Sequence, residues 1–321
     1  MSKYGKNGGV NIYAQLQEPS KKDGIWIKTK KTLTNDNKYI QLEDMPAEFQ
    51  YGSATAIGDD IYLVKNNLFY KYNILTSEYT QLLDVPFNGA GIIAVDKDIY
   101  LFYGYIAYKY NTITGKHTQL SNIPFSFTGK AIAAVGTDIY LFGGSGSSSY
   151  KKYAYKYNTI TDEYTKLADI PYLFENGLAV SIGDDIYLFG AKGTTYHIEA
   201  YKYSTKSNTY TKLADIPYEF FDGSIVAIDD NIYLFGNASS NSATAKLRKY
   251  AYKYSTKSNT YTRLTDLPYD FSTGLIEKVG DDIYLFGGGT SATTAYKCVF
   301  DILPEIQKYK FNKVKLVSSL I

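Results

Sequence analysis

The sequence predicts an all-β fold, a six-bladed β-propeller closed by an N-terminal strand, and three observations predict it. The tripeptide Ile-Tyr-Leu recurs at 61–63, 99–101, 139–141, 186–188, 232–234 and 283–285. A proline heads each unit, at Pro46, Pro86, Pro124, Pro171, Pro217 and Pro268, with spacings of 40, 38, 47, 46 and 51 residues. Self-similarity at that period marks a propeller or a repeat array. Finally, 37–44 (NKYIQLED) aligns with 208–215 (NTYTKLAD), the end of a unit, while the sixth unit stops short of that end. A surplus strand at one terminus and a missing one at the other imply a ring.

The unit spanning 216–266 shows the elements in order. Its proline and aromatics lead into the apolar run Ser224–Ile228, then Asp229-Asp230, then Asn231–Phe235. Two β-branched or aromatic runs joined by Asp, Asn or Gly read as a hairpin. After a polar loop, Tyr250-Ala251-Tyr252-Lys253-Tyr254 alternates with the period of two of a half-buried strand. Ser-Thr-Lys-Ser-Asn then turns into a last strand, Thr260–Leu264. Four antiparallel strands result, with no helical periodicity. Six such sheets set radially bury one another's faces and leave only short edges.

These units resemble kelch repeats. The glycine pair after the second strand survives as Gly143-Gly144 and Gly287-Gly288, and is degraded to Gly190-Ala191, Gly236-Asn237 and Tyr103-Gly104. The family's Tyr-then-Trp spacing is kept with Tyr79, Tyr164, Tyr210 and Tyr261 in the Trp place, and His117 in the second unit. The resemblance covers roughly residues 37–300 and implies a kelch-type propeller. Such propellers serve as enzymes, adaptors and binding platforms, so it leaves function open.

The chain divides into an arm (1–23), the propeller (24–301) and a C-terminal extension (302–321) expected to pack on the closure blade. The extension either adds to an outer edge or pairs with the N-terminal segment. The stretch 18–29 (EPSKKDGIWIKT) resembles the E-P-x-x-x-D-G-I-W-I-K-T segment near the start of tail-associated proteins of phages and prophages of Gram-positive bacteria. That resemblance implies a virion or tail-like particle component with tail or baseplate proteins as partners. Read from its residues alone, the stretch is a turn from Pro19 to Gly24 feeding an edge strand.

Composition narrows the classes. With 321 residues, 45% hydrophobic and 16% aromatic, the chain can bury a large core. Its 35 tyrosines suit rings that pack between blades with one polar end wet. A single cysteine rules out an internal disulfide. No apolar run approaches membrane-spanning length, and Met1–Lys6 lacks the apolar core of a secretory signal. The expected localisation is therefore synthesis in the bacterial cytoplasm, then a particle, without membrane insertion. Residues 1–40 carry eight Lys against Glu18, Asp23 and Asp36, and 302–321 carry four Lys against Glu305. A net charge of +2 then leaves −6 for residues 41–301. Closure brings the two basic ends together as an attachment surface. Nucleic-acid binding is not expected, since Arg forks and a basic-aromatic face are missing.

Catalytic chemistry is sparse. His117 replaces a repeat Tyr, and Cys298 stands where other units have Tyr110, Tyr157, Tyr203 and Tyr254. His197 lies before a third strand, with no second His or Cys at metal-ligand spacing. The doublets Asp59-Asp60, Asp184-Asp185 and Asp281-Asp282 fall in hairpin turns, which Asp favours. No catalytic residue, metal or cofactor is expected. The candidate binding surface is the rim where each unit's last strand leads to the next. It comprises Phe49, Phe127, Tyr172, Phe174, Glu175, Tyr218, Glu219, Phe220, Phe221, Tyr269, Asp270 and Phe271. Aromatic faces beside carboxylates suit a cell-surface glycan; equally, one ring per repeat can plug the gap between blades. The preferred reading is a non-enzymatic propeller for structure or host attachment. A sugar-mutarotase-like kelch enzyme and a cytoplasmic protein-interaction adaptor are the alternatives.

Overall fold

The computed structural model describes residues 28–31, 38–86, 91–127, 131–144, 152–192, 196–220, 223–236, 249–280, 282–289, 293–299 and 302–305. The arm 1–23, the segment 306–321 and most of the longest loops (145–151 and 237–248) lie outside them. No helix among the described residues is long and apolar enough to cross a membrane.

Two strands precede the blades, β1 (Lys28–Lys31) and β2 (Lys38–Gln41). Blade one is β3 (Ser53–Ile57), β4 (Asp60–Lys65), β5 (Leu68–Asn73) and β6 (Glu78–Gln81). Blade two is β7 (Gly91–Val95), β8 (Asp98–Tyr103), β9 (Ile106–Asn111) and β10 (Lys116–Gln119). Blade three is β11 (Ile132–Val135), β12 (Asp138–Phe142), β13 (Ala154–Asn158) and β14 (Glu163–Lys166). Blade four is β15 (Leu178–Ile182), β16 (Asp185–Lys192), β17 (Tyr196–Ser204) and β18 (Thr209–Lys212). Blade five is β19 (Ser224–Ile228), β20 (Asn231–Phe235), β21 (Ala251–Ser255) and β22 (Thr260–Arg263). Blade six is β23 (Leu275–Val279), β24 (Asp282–Phe286), β25 (Ala295–Val299) and, as its fourth strand, β2. A last strand, β26 (Ile302–Glu305), pairs with β1.

Each first hairpin closes through a two-residue turn. Ile57 faces Asp60 across the turn Gly58-Asp59, with Gly58 at φ +60°, a backbone that glycine adopts without strain.

The second strand organises packing. In blade one, Ile61 and Leu63 are buried against Tyr284 and Phe286 of blade six, while Tyr62 and Val64 are buried against Ile99 and Leu101 of blade two. The same division holds round the ring, giving a separate apolar cluster in every gap between blades. Each fully buried side chain of this kind contributes roughly 1.5–3 kcal/mol. A third-strand ring joins each gap: Tyr72, Tyr110, Tyr157, Tyr203 and Tyr254, with Cys298 in blade six.

Closure rests on β2. It pairs antiparallel with β25, Tyr39 facing Cys298, and the pairing extends through Leu42 N–H to Ala295 O at 2.9 Å and Met45 N–H to Thr293 O at 2.7 Å. Of the two placements open to the C-terminal extension, β26 takes the N-terminal one, with Lys28 opposite Glu305 and Lys31 opposite Ile302. Deleting residues 1–44 removes β2 and bares the edge of β25. The expected outcome is loss of a single cooperative melt or a shift to oligomers on size exclusion. Deleting only 1–20 should leave the melting temperature nearly unchanged.

Candidate functional site

The connectors that run from the last strand of one blade to the first of the next carry the candidate aromatic rim. Phe49, Phe127, Phe174, Phe220 and Phe271 are at most 1% exposed, and Tyr218 and Tyr269 are buried as well. Ile216, Tyr218 and Phe220 sit with Phe189, Ile232 and Leu234 in the gap between blades four and five, and the other connectors repeat this. A ring with no free face cannot stack on a sugar, so these seven residues are corrected from ligand contacts to plugs of the blade gaps. Tyr172 is half-buried, stacked on Tyr201 at 5.3 Å, and donates to Gly190 O at 3.0 Å. Glu175 and Asp270 are half-buried and Glu219 is exposed; Phe221 lies outside the described residues.

The plug explains the repeat glycines. A Cβ on Gly190, at φ +64°, would stand 1.8 Å from Phe220 O, and one on Gly223 would stand 2.4 Å from the Phe220 ring. Both glycines are required by the space the plug occupies.

The remaining sequence candidates are also built into the packing. His117 faces Tyr110 across β9–β10, at 5.0 Å between rings, where four other blades pair two tyrosines. Its Nε2 lies 3.3 Å from Leu83 O, a contact that requires Nε2 to donate; burial lowers its pKa. Cys298 is fully buried and its thiol is pushed up to about 12 by that burial. His197 belongs to β17 rather than to a connection, its backbone paired with Ala191, because β16 and β17, at 8 and 9 residues, run longer than the other described strands. The turn aspartates meet third-strand lysines: Asp60 with Lys71 at 3.2 Å, Asp98 with Lys109 at 3.3 Å, Asp138 with Lys156 at 3.1 Å, Asp185 with Lys202 at 3.0 Å and Asp282 with Lys297 at 2.7 Å. These are cross-strand pairs between the second and third strands of five blades; blade five has Asn231 in the Asp position.

The inner strands β3, β7, β11, β15, β19 and β23 surround an axial cavity of about 250 Å³. Ala54, Ile93, Ala133, Val180, Ile225 and Ile276 line it together with the hydroxyls of Ser53, Thr55, Ser181 and Ser224. Glu277, from β23, is the one acidic lining residue among the described residues. It lies opposite Tyr284 in register; the residues opposite the corresponding tyrosines are Thr55, Ile93, Ala133, Val180 and Val226. An ionisable residue in a column otherwise apolar or Thr is the sequence signal for this position.

Residues 126–171 match the kelch motif, a span running from the connector before blade three to the proline before blade four. The chain is a six-bladed propeller carrying a kelch motif. The solved structure of YjhT is similar, at a TM-score of 0.67 and 15% identity, over 81% of this chain and 96% of that one. No curated protein matches the sequence. Similarity at that identity establishes shared architecture.

In this kelch-motif propeller the two features make opposite demands on stability. The plugs stabilise: Phe220→Ala should cost about 3–5 kcal/mol in denaturant melts, while Glu219→Ala beside it should change stability by less than about 0.5 kcal/mol. Glu277 costs stability when charged, since burial raises its carboxyl to about 8, partly offset by a hydrogen bond from the Lys278 N–H. With the folded pKa above the ordinary 4.5, stability is fully present below that value and lost as pH rises to about 8. The loss is on the order of a few kcal/mol. Glu277→Gln should flatten the fall in melting temperature across that window; an unchanged profile would refute the assignment.

Proposed function

We propose that the chain is a non-enzymatic binding propeller mounted on a phage tail or tail-like particle, where it contacts a cell-surface glycan or protein of a bacterial host. The observation that carries this reading is the β1–β26 pair. By setting Lys28 opposite Glu305, it makes the chain enter and leave the ring side by side. The flanks so joined hold Lys3, Lys6, Lys21 and Lys22 on one side and Lys308, Lys310, Lys313 and Lys315 on the other, against Glu18 and Asp23. A basic attachment point beside a mildly acidic ring orients the particle on a complementary partner. The segment that resembles tail-associated proteins, 18–29, runs directly into β1, so Lys28 and Thr29 belong to both.

The host-facing side is the rim bearing the connectors. With the plugs buried, its exposed rings include Tyr51 at 69%, Tyr105 at 50% and Tyr103 at 38%. Tyr103 and Tyr105 flank Gly104 at the tip of β8–β9, and paired hydrogen bonds between Gly104 and Phe127, at 2.6 and 2.9 Å, hold that tip to the next connector. A ring held this way binds at little entropic cost.

Cosedimentation with tail particles separates the two surfaces. Replacing Lys308, Lys310, Lys313 and Lys315 with Glu should release the protein from the particle with the melting temperature unchanged. Tyr105→Ala should leave particle association intact and weaken cell-wall pull-down by roughly tenfold, the value of a ring contact of about 1–2 kcal/mol. Full particle association by the charge-reversed protein would overturn the attachment model.

A further inference from the structure

We propose that the axial cavity is a binding site for a compact organic cation, an alkylammonium or quaternary ammonium ion, with the Glu277 carboxylate as its counter-ion. This inference is independent of how the propeller is mounted. A cavity of about 250 Å³ on the ring axis limits its occupant to a small molecule. Its wall sets aliphatic side chains, Ile93, Ile132, Val180 and Ile225 from successive inner strands, among the hydroxyls of Ser53, Thr55, Ser181 and Ser224. The aliphatic patches suit the methyl and methylene groups of an organic cation.

The polar lining sorts ligands by charge. Ser53 Oγ accepts from Ile92 N–H at 3.1 Å, Thr55 Oγ1 accepts from Ala94 N–H at 2.9 Å, and Ser224 Oγ donates to Gly274 O at 2.7 Å. These hydroxyls stitch neighbouring inner strands together. Glu277 differs. Among the described residues it has no ion-pair partner, and its carboxyl accepts a hydrogen bond from the Lys278 N–H. A half-buried carboxyl is costly to ionise without a partner, and charges so placed are ordinarily paired. A ligand cation would supply the missing partner, and an anion would meet repulsion.

The charged and titratable groups around it leave that role open. On its own strand, Lys278 faces the opposite side of β23 by the strand's period of two. On β24, the facing residue is Tyr284, whose hydroxyl is raised by burial, and near it Lys297 is engaged with Asp282 at 2.7 Å. From β3, Ser53, Ala54 and Thr55 line the cavity; from β19, Ser224, Ile225 and Val226 do so, and none of them titrates.

Binding must ionise Glu277, so uptake of a cation below the carboxyl's raised pKa releases a proton. Titration calorimetry with choline chloride and ethylammonium chloride, run in two buffers of different ionisation enthalpy, reads both affinity and proton release. The expected result is binding that tightens about tenfold or more from pH 6 to pH 9, with proton release at pH 6. Glu277→Gln, checked for folding by thermal melt, should weaken binding about tenfold or more and abolish the pH dependence. The neutral isostere 3,3-dimethylbutan-1-ol and the anion acetate should bind much more weakly than choline. Equal binding by the neutral isostere, equal binding by the Gln variant, or no binding of either cation at about 10 mM would overturn the proposal. The wild-type pH profile and the isostere comparison decide it even if the variant does not fold.

Discussion

The second strand of every blade is buried on both faces, and the rest of the architecture follows from that. In Ile-Tyr-Leu-Phe the first and third side chains enter one gap and the second and fourth enter the other. A single blade would therefore expose two apolar faces, so no blade can be a stable unit alone. Linear stacking would leave one such face bare at each end. Ring closure removes both, which is why β2 lies beside β25 although they are far apart in sequence. The order β23-β24-β25-β2 is the same four-strand meander as the other blades, with its covalent link cut and moved.

Two-faced burial also decides what the connectors must do. A gap filled by strands alone would be open at the rim, and voids in a core cost both contacts and hydration free energy. Phe220 and its equivalents fill that opening, while Gly190 and Gly223 make way for the ring and its backbone. Tyr218 then ties the rim by donating to Gly236 O at 3.3 Å, as Tyr269 does to Gly287 O at 3.1 Å. Among the described residues, the aromatics that follow Pro124, Pro171, Pro217 and Pro268 are committed to packing. The rings left exposed at the rim include Tyr51, Tyr103 and Tyr105.

The strands were legible because period-two alternation, turn residues and a regular repeat all agreed, and closure was legible from the orphan strand at 37–44. The role of the rim aromatics was not, because a plug and a sugar platform call for the same residue types beside the same acids. What distinguishes them is a glycine contact such as Gly223 against Phe220, which exists only once two blades are adjacent. The Asp–Lys pairs were hidden for a similar reason: Asp138 and Lys156 are 18 positions apart, and register alone brings them within 3.1 Å. The β1–β26 pair offered no repeat to align. Glu277 was within reach, since comparing the units column by column isolates it as the acid among Thr55, Ile93, Ala133, Val180 and Val226.

The placement of Glu277 links the axis to the seam of the ring. By the period of a strand it shares a face with Leu275 and Val279, and both of those belong to the cluster between blades six and one. That cluster joins the last blade in sequence to the first, and the connector residues Met45 and Phe49 plug it just beyond β2. Ionising a carboxyl there weakens the contact between β23–β25 and blade one, which those strands reach through the non-covalent β2–β25 pairing. Protonation of Glu277 favours the closed ring, and so does any cation that pairs with its carboxylate, because each binds the folded state in preference to the open one. The axis of the propeller is thereby coupled energetically to the strand that holds it shut.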